Sequence, residues 1–293
     1  MTKAGPVIWY GGKALMLGKI VPLIPWSTVY VEPYGGAASV LCNLKPRPVE
    51  VYNDLNGELV NLFRVLQGET QFNELLRRLT FTLYSLDEFR KALGMSVTTH
   101  DPVAAAWAMF VRQNQGFGGR AETEGNWGRA FISSRGMAHA CSKWLSRIDR
   151  LPFWHDRIMR VQIDNRPALD VIRYWDSPET TFYCDPPYVH EMRVAGNNDV
   201  YRHEMTAADH AALVETLLAV KGNVVLSGYA QPIYAPLEAA GWKRIDWHTA
   251  CSAAGRARGS KLRGEGALLA GVPRVETVWL RDTTCAQQGS ILV

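Results

Sequence analysis

The sequence predicts an α/β fold with a doubly wound, mostly parallel sheet. Short runs rich in β-branched and aromatic residues recur along the chain, and segments with helical patterns separate them. Parallel strands need crossover connections, which alternating helices supply. The composition, with 47% hydrophobic and 20% charged residues, is that of an ordinary globular protein.

Each predicted element follows from a local pattern. Strands are expected at residues 28–33, 50–54, 158–164, 180–184, 223–229, 242–248 and 275–280. Helices are expected at residues 37–44, from about residue 167 onward, at 206–220, and in a short segment that ends at Gly241. The two closing strands are expected to pair as an antiparallel hairpin at one edge, as open α/β sheets often do.

The alternation breaks between Asp54 and Ile158. This segment has helical patterns around a glycine-rich middle, "NQGFGGRAETEGNWG". We therefore divide the chain into a sheet domain, residues 1–56 and 158–293, and a helical insertion, residues 57–157. The insertion is the natural place for substrate recognition.

Composition excludes several classes of protein. The five cysteines stand far apart without a CxxC pair, so neither a zinc ribbon nor a disulfide framework is indicated. No apolar run reaches the roughly 18 residues of a membrane span, and no signal-peptide pattern begins the chain. The net charge of +4 permits a polyanionic partner without requiring one. An intracellular protein without a metal or a membrane anchor is expected.

A glycine turn follows the first predicted strand in "VEPYGGAASV". Backbone can approach a ligand closely where side chains are absent, and a helix N-terminus offers free N–H groups. A ligand-binding turn and a tight strand–helix turn without a ligand explain these residues equally well.

Asp54 follows the next strand, about 20 residues beyond the glycine turn. At this spacing, nucleotide-binding α/β folds place an acid that accepts hydrogen bonds from ribose hydroxyls. An Asx turn is the alternative, since "NDLNG" is also turn chemistry. The turn lacks the GxGxxG pattern of dinucleotide sites, so another adenosine-containing cofactor is favoured.

The strand at 180–184 ends in Asp185, Pro186, Pro187 and Tyr188. Two prolines fix φ and remove two backbone donors, so Asp185 and the Pro186 carbonyl can both accept hydrogen bonds from one amino group. Tyr188 can stack on a planar ring. The pattern suits an exocyclic amine on adenine or cytosine. A simple proline-terminated strand would explain the prolines but not the acid and the aromatic residue.

These motifs resemble those of the DNA adenine methylase (Dam-type) family, the alpha-group N6-adenine DNA methyltransferases. "YCDPPY" and "VEPYGGAAS" are similar to its signature pair, and "WYGGK" near the N-terminus is similar to its WAGGK segment. The motif order also matches, and the resemblance spans nearly the whole chain. It implies a Rossmann-like methyltransferase fold with an antiparallel edge strand and a helical target-recognition insertion.

The resemblance also implies roles for individual residues. It implies S-adenosyl-L-methionine as the cofactor, with contacts from Trp9, Tyr10, Gly12, Lys13, Glu32, Pro33, Tyr34, Gly36, Ala37, Ala38, Asp54, Asp164 and Asp185. It makes Asp185, Pro186, Pro187 and Tyr188 the catalytic residues. The chain departs from the family in one place, because Ala38 replaces the last glycine of the FxGxG pattern.

Contacts with double-stranded DNA are expected from two segments. "VRQNQGFGGR" supplies Arg112, Asn114, Phe117 and Arg120, and the glycine-rich "GRARGSKLRGEG" supplies Arg256, Arg258 and Lys261. Basic residues in a glycine-rich loop fit phosphate contact, although a solvated surface loop has the same composition.

The implied activity is transfer of a methyl group to N6 of a flipped-out adenine in DNA. The alternatives are a cytosine-N4 methyltransferase of the same fold and a catalytically silent DNA-binding module. Aspartate in the DPPY motif favours adenine, because cytosine-N4 enzymes more commonly carry serine there. Intact motifs disfavour the silent module. The expected setting is the cytoplasm of a bacterial or phage-infected cell, with a monomer as the default state; a role in restriction–modification is compatible.

Overall fold

The computed structural model describes residues 5–9, 11–95, 100–117, 123–188, 205–250 and 273–283. In chain order its strands are β1 (Val29–Glu32), β2 (Val49–Asn53), β3 (Ser133–Ser134), β4 (Met137–Ala138), β5 (Gln162–Asp164), β6 (Thr180–Cys184), β7 (Asn223–Tyr229), β8 (Lys243–Ala250) and β9 (Pro273–Arg281). The α-helices are α1 (Leu17–Ile20), α2 (Gly57–Gln67), α3 (Glu69–Thr80), α4 (Leu86–Met95), α5 (Pro102–Gln115), α6 (His139–Ile148), α7 (Leu151–Ile158), α8 (Ala168–Trp175), α9 (Ala207–Ala219) and α10 (Ala235–Ala239).

The main sheet has seven strands in the order β5-β2-β1-β6-β7-β9-β8. From β5 to β7 all neighbours are parallel. The chain builds outward from β1 through β2 to β5, and then crosses to β6 on the other side of β1. The strand order therefore reverses between β1 and β6, and ligands of open α/β sheets bind beyond the carboxyl ends of strands at such a point.

The closing strands form the predicted antiparallel pair at one edge. β9 is antiparallel to β7 and to β8. It lies between them, so that the outermost strand, β8, runs parallel to β7. The doubly wound, mostly parallel sheet predicted from the sequence is confirmed.

Two hydrophobic cores cover the two faces of the sheet. One joins Tyr52 and Tyr183 to α2, α5 and α7, and the other joins Phe182 to α8, α9 and α10. All five residues of β6 are buried, as expected of a central parallel strand that is covered on both sides. This burial fixes the position from which Asp185 leaves the sheet.

Apart from loops, the described residues from α2 to α7 are helical except for a short hairpin, β3–β4, and a 3₁₀ turn, Glu124–Asn126. The sequence did not reveal the hairpin. Its two-residue turn, Arg135-Gly136, has φ of 54° and 74°. Such turns need positive φ at both positions and are usually marked by Asn-Gly or Asp-Gly, which is why Arg-Gly gave no signal.

Two predicted elements differ in the structure. The helix predicted at 37–44 is a single 3₁₀ turn, Leu41–Asn43. Gly36 and Ala38 have φ of 49° and 52°, which an α-helix does not allow. The strand predicted at 158–164 is only β5, because α7 continues to Ile158 and a turn follows it.

Every helix in the described part of the chain is too short or too polar to span a bilayer.

Candidate active site

A cavity of about 440 Å³ opens beyond the carboxyl ends of β1, β2 and β6, where the strand order reverses. The glycine turn after β1 forms one wall, and the segment from Asp185 to Tyr188, which we call the catalytic corner, forms another. Residues at the start of α8 close a third side. The size is that of a small-molecule site.

The glycine turn is shaped by two close approaches. A Cβ atom on Gly35 would lie 2.2 Å from Cε2 of Tyr52, and one on Gly36 would lie 3.1 Å from Cδ1 of Trp9. Gly36 also has positive φ. No larger residue fits at Gly35 without displacing the ring of Tyr52, so the turn is a cradle formed by missing side chains.

Ala38 occupies the left-handed region that glycine prefers, with φ of 52°, and its side chain is fully buried. The family pattern has glycine here, and the backbone keeps the conformation glycine would adopt. Ala38 does not line the cavity, so its predicted cofactor contact differs from the structure. Its methyl group is accommodated in the core at the expense of backbone strain.

Asp54 fastens the glycine turn to the end of β2. Its Oδ2 accepts a hydrogen bond from the Gly36 amide at 2.9 Å, and its Oδ1 accepts one from the Asn56 amide at 2.8 Å. The Tyr52 hydroxyl donates to the Gly36 carbonyl at 2.8 Å. Asp54 therefore forms the Asx turn and also lines the cavity. The two interpretations of this residue are compatible.

The catalytic corner begins with a partly buried ion pair. Oδ1 of Asp185 lies 2.7 Å from Nζ of Lys13, which is 6% exposed. Nζ also donates to the Gly11 carbonyl at 3.2 Å and lies 4.7 Å from the ring centroid of Tyr188. Burial raises the pKa of Asp185, the positive charge of Lys13 opposes that rise, and Glu276 adds to it. Lys13 thus favours the ionised carboxylate in a site that disfavours charge.

Tyr188 is held from the neighbouring strands. Its hydroxyl donates to Oε2 of Glu276 on β9 at 2.8 Å, and its ring centroid lies 4.3 Å from that of Tyr229, at the end of β7. Burial raises the pKa of Tyr188 well above its usual value, so the hydroxyl keeps its proton. No sequence pattern marks Glu276 or Tyr229 as site residues, because only the strand order brings them to the corner.

Glu32, at the end of β1, is a buried acid on the cavity wall with 1% exposure. Its Oε1 accepts a hydrogen bond from the Tyr30 hydroxyl at 2.7 Å. Burial raises its pKa to about 8, against opposing effects of that hydrogen bond and of Arg157. Glu32 is therefore mostly protonated at neutral pH in the free protein.

The structure brings most of the predicted site residues together. Those that line the cavity are Trp9, Gly12, Lys13, Glu32, Pro33, Tyr34, Gly36, Ala37, Asp54, Asp185, Pro186, Pro187 and Tyr188. Tyr10 lies outside the described residues. Asp164 does not line the cavity, contrary to the prediction. It accepts a hydrogen bond from Nε of Arg166 at 2.7 Å, and Arg166 takes its place in the wall.

No sequence pattern marked Asn53, the residue that joins the walls of the cavity. Asn53, the last residue of β2, is buried and donates to the carbonyls of Pro33 and Arg166 at 2.8 and 3.0 Å. Its Oδ1 accepts from the Arg166 amide at 2.9 Å. Asn53 and Asp54 of "NDLNG" thus have different structural roles. Asn53 links the strand ends, and Asp54 shapes the turn.

The predicted DNA contacts are only partly exposed. Arg112 is buried in α5 and forms an ion pair with Glu58 at 2.9 Å. Asn114 is also buried and donates to the Phe110 carbonyl at 3.0 Å. Both are enclosed within the fold, because most of α5 is covered by its neighbours. Phe117 is 56% exposed. The contact of these three residues with DNA stays a prediction. Arg120, Arg256, Arg258 and Lys261 lie outside the described residues.

The sheet and the cavity together define a Rossmann-like methyltransferase fold. The sheet is parallel except for β9, and the cavity at the reversal point joins a glycine turn to an Asp-Pro-Pro-Tyr corner. Comparison with protein-family models gave a match. Residues 9–92 match the model for D12 class N6 adenine-specific DNA methyltransferase. This match supports the resemblance to the Dam-type adenine methyltransferases and an adenine-specific DNA methyltransferase activity.

The matched segment contains Trp9, Lys13, the glycine turn and Asp54, and it ends before the catalytic corner. A search of the curated proteins found no match to this chain. The family implies a methyl donor and a DNA substrate.

Proposed function

We propose that this protein transfers a methyl group from S-adenosyl-L-methionine to N6 of a flipped-out adenine in double-stranded DNA. One observation carries the proposal. A single cavity connects the glycine turn and Asp54, which lie in the segment matched to the family, with the catalytic corner, which lies outside it. A donor bound along the turn would therefore present its reactive end to Asp185.

The residues of the cavity fit such a donor. Gly35 and Gly36 leave space that a Cβ atom would fill, and Asp54 is positioned at the strand end where α/β folds bind ribose hydroxyls. Trp9 covers the turn from the other side. Arg166 and the start of α8 provide the wall for the far end of the molecule. When bound, the cofactor supplies an electrophilic methyl group on a sulfonium.

The catalytic corner supplies acceptors for the amine of the base. The N6 lone pair is delocalised into the ring, so the amine is a poor nucleophile. The Asp185 carboxylate and the Pro186 carbonyl would each accept one N6 hydrogen and favour the pyramidal geometry that localises the lone pair. As the methyl carbon bonds to N6, its bond to sulfur would break and leave a neutral thioether. The Asp185 carboxylate would stabilise the positive charge that develops on N6 and would receive the departing proton. Positioning and electrostatics would supply most of the rate.

Two further features assign roles in DNA binding. A base in a duplex must leave the stack to reach the cavity, and the ring of Tyr188 would stack on it there. The sheet domain, residues 1–56 and 158–293, would carry the chemistry, and the insertion, residues 57–157, would recognise the target, with exposed Phe117 at the interface. Basic residues in segment 255–266 would contact phosphates, so binding should weaken steeply with added salt.

The test is to identify the methylated base. The protein is incubated with radiolabelled S-adenosyl-L-methionine and unmethylated DNA, and the DNA is digested to nucleosides. Label in N6-methyl-2′-deoxyadenosine is expected. Asp185→Ala is the control for contaminating activity, and Asp156→Ala is its match, because Asp156 is an exposed aspartate on α7 outside the cavity lining. Label in N4-methylcytosine, or no label with the wild-type protein, would contradict the proposal.

A further inference from the structure

His210 is a buried histidine next to the catalytic corner, and the mechanism above does not use it. It lies on α9 and is 0% exposed. α9 covers the sheet face that carries Phe182, whereas Leu17 and Ile20, which follow Lys13, belong to the core of the other face. Lys13 and His210 therefore approach the catalytic corner from opposite faces of the sheet.

One ring nitrogen of His210 has a fixed partner. Nδ1 lies 2.8 Å from the hydroxyl oxygen of Tyr234. The ring of Tyr234 is itself held, with its centroid 4.6 Å from that of Trp279 and with Gly228 leaving room for it. Burial raises the pKa of Tyr234, so the hydroxyl keeps its proton and can donate to Nδ1. When the Tyr234 hydroxyl donates to Nδ1, a neutral ring carries its proton on Nε2.

The ring of His210 is neutral at neutral pH, because burial lowers its pKa below the usual value of 6.5. The proton on Nε2 thus makes this atom a donor. Nε2 is buried and has no hydrogen-bond partner among the residues that the structure describes. A buried donor of this kind is costly unless a partner is within reach.

The acceptor nearby belongs to the catalytic corner. The backbone carbonyl of Pro187 is close enough to the ring of His210 to oppose the lowering of its pKa, although the two groups do not form a hydrogen bond of full geometry. Pro186 and Pro187 have no N–H groups, so hydrogen bonds can hold this part of the chain only by donation into its carbonyls. His210 supplies a donor at that place, and the Pro186 carbonyl that the mechanism uses is one residue away.

We propose that His210 is a positioning residue for methyl transfer, whose Nε2–H donates to the Pro187 carbonyl when the corner engages adenine and thereby sets the direction of the Pro186 carbonyl. This inference rests on the proposed function, because it assigns the corner its role in binding the amine. His210 touches neither cofactor nor base. It acts through the backbone of the catalytic corner, which would contact the base.

The experiment compares two substitutions of His210. Glutamine places an N–H donor close to the position of Nε2, and leucine removes it. For each variant, kcat and KM for adenine methylation are measured with the full-length protein, together with cofactor binding by calorimetry and the melting temperature. His155→Leu and His155→Gln are the matched controls, because His155 also meets a backbone carbonyl, that of Leu66 at 2.7 Å, but lies on α7 away from the cavity.

We expect His210→Leu to lower kcat about tenfold, the rate equivalent of one hydrogen bond, with KM and cofactor affinity within about twofold of wild type. His210→Gln should recover most of kcat. The His155 pair should leave kcat unchanged. Tyr234→Phe, which removes the hydroxyl that fixes the ring's proton on Nε2, should lower kcat by a smaller factor than His210→Leu.

Wild-type kcat in a folded His210→Leu protein would overturn the inference, as would equal losses in the leucine and glutamine variants. If His210→Leu does not bind cofactor because it is unfolded, Tyr234→Phe decides, and wild-type kcat there overturns the inference. Failure of the proposed function is a separate result, since it appears as absence of adenine methylation in the wild-type protein.

Discussion

The two walls of the cavity are built by different means. The glycine turn can adopt its shape because Gly35 and Gly36 have no side chains. An added Cβ atom would come too close to Tyr52 at the first position and to Trp9 at the second. The catalytic corner is shaped by charge and by distant contacts, since Asp185 meets Lys13 and Tyr188 meets Glu276. The first wall suits binding of a cofactor, because it is steric and local. The second suits chemistry, because it controls the state of one carboxylate.

This comparison predicts that substitutions in the two walls separate binding from turnover. Changes at the corner should lower kcat and spare cofactor affinity, whereas changes at the turn should do the reverse.

Lys13→Met should have the largest effect, lowering kcat/KM at pH 7 by about a hundredfold, as loss of a charged group at a reacting centre does. Lys13 lowers the pKa of Asp185 against the effect of burial. Its removal should raise that pKa further, so the acid limb of the pH–rate profile moves to higher pH. Lys13→Arg, which keeps the charge, is the control. An acid limb that does not move in Lys13→Met would show that the ion pair does not set the state of Asp185.

Gly35→Ala should weaken the turn. Its Cβ would overlap the ring of Tyr52, so we expect cofactor affinity to fall at least tenfold and the free energy of unfolding to fall by about 1–3 kcal/mol, the range for overpacking. Calorimetric titration and urea denaturation measure the two effects. Gly18→Ala is the matched control, because nothing lies within 4 Å of its added methyl group. Unchanged cofactor affinity in Gly35→Ala would contradict the steric explanation of the glycine turn.

Glu32→Gln should change how stability depends on pH. The folded-state pKa of Glu32 is raised to about 8 from an ordinary value of 4.5, so its contribution to stability is complete below about pH 4.5 and is lost as pH rises through about 8. The Glu32→Gln variant does not lose this contribution to stability as pH rises. The difference in free energy of unfolding, variant minus wild type, should therefore increase from pH 5 to pH 9 in urea denaturation series. A difference that is constant with pH would mean that Glu32 is ionised throughout.

Ala38→Gly should give the smallest effect, a gain of about 0.5–1 kcal/mol in the free energy of unfolding. Relief of the left-handed φ favours the variant, and the greater freedom of glycine in the unfolded chain offsets part of the gain. Because Ala38 does not line the cavity, kcat and cofactor affinity should stay at wild-type values. A loss of stability on thermal denaturation would show that the buried methyl group contributes more than the strain costs.

What the sequence could predict follows the same division. The strands, the glycine turn and the Asp185–Tyr188 segment are local patterns, and each was recognised within a few residues. Lys13 and Asp185 were both predicted site residues, yet their contact joins positions that lie far apart in the chain and on separate elements. Glu276, Tyr229 and His210 carry no local signal, because burial and strand order alone bring them to the corner.

Arg112 and Asn114 have an environment that their residue types did not indicate. A basic residue and an amide near a glycine-rich segment are typical of a DNA contact, but both lie on a helix whose whole circumference is covered. Burial of a polar side chain depends on the tertiary environment of the helix, which residue type does not reveal. The buried ion pair with Glu58 explains why an arginine is tolerated there.

The position of β9 has a consequence for how the protein comes into being. β7 is complete by Tyr229, but its outer hydrogen-bonding edge is covered only by β9, which begins at Pro273, and β9 also brings Glu276 to Tyr188. During synthesis on the ribosome, the catalytic corner therefore exists before its last support does. A nascent chain that has emerged only through β8 carries an open strand edge and an unanchored tyrosine. Methylation competence should arise late in translation, when β9 pairs with β7 and β8 joins the sheet through β9.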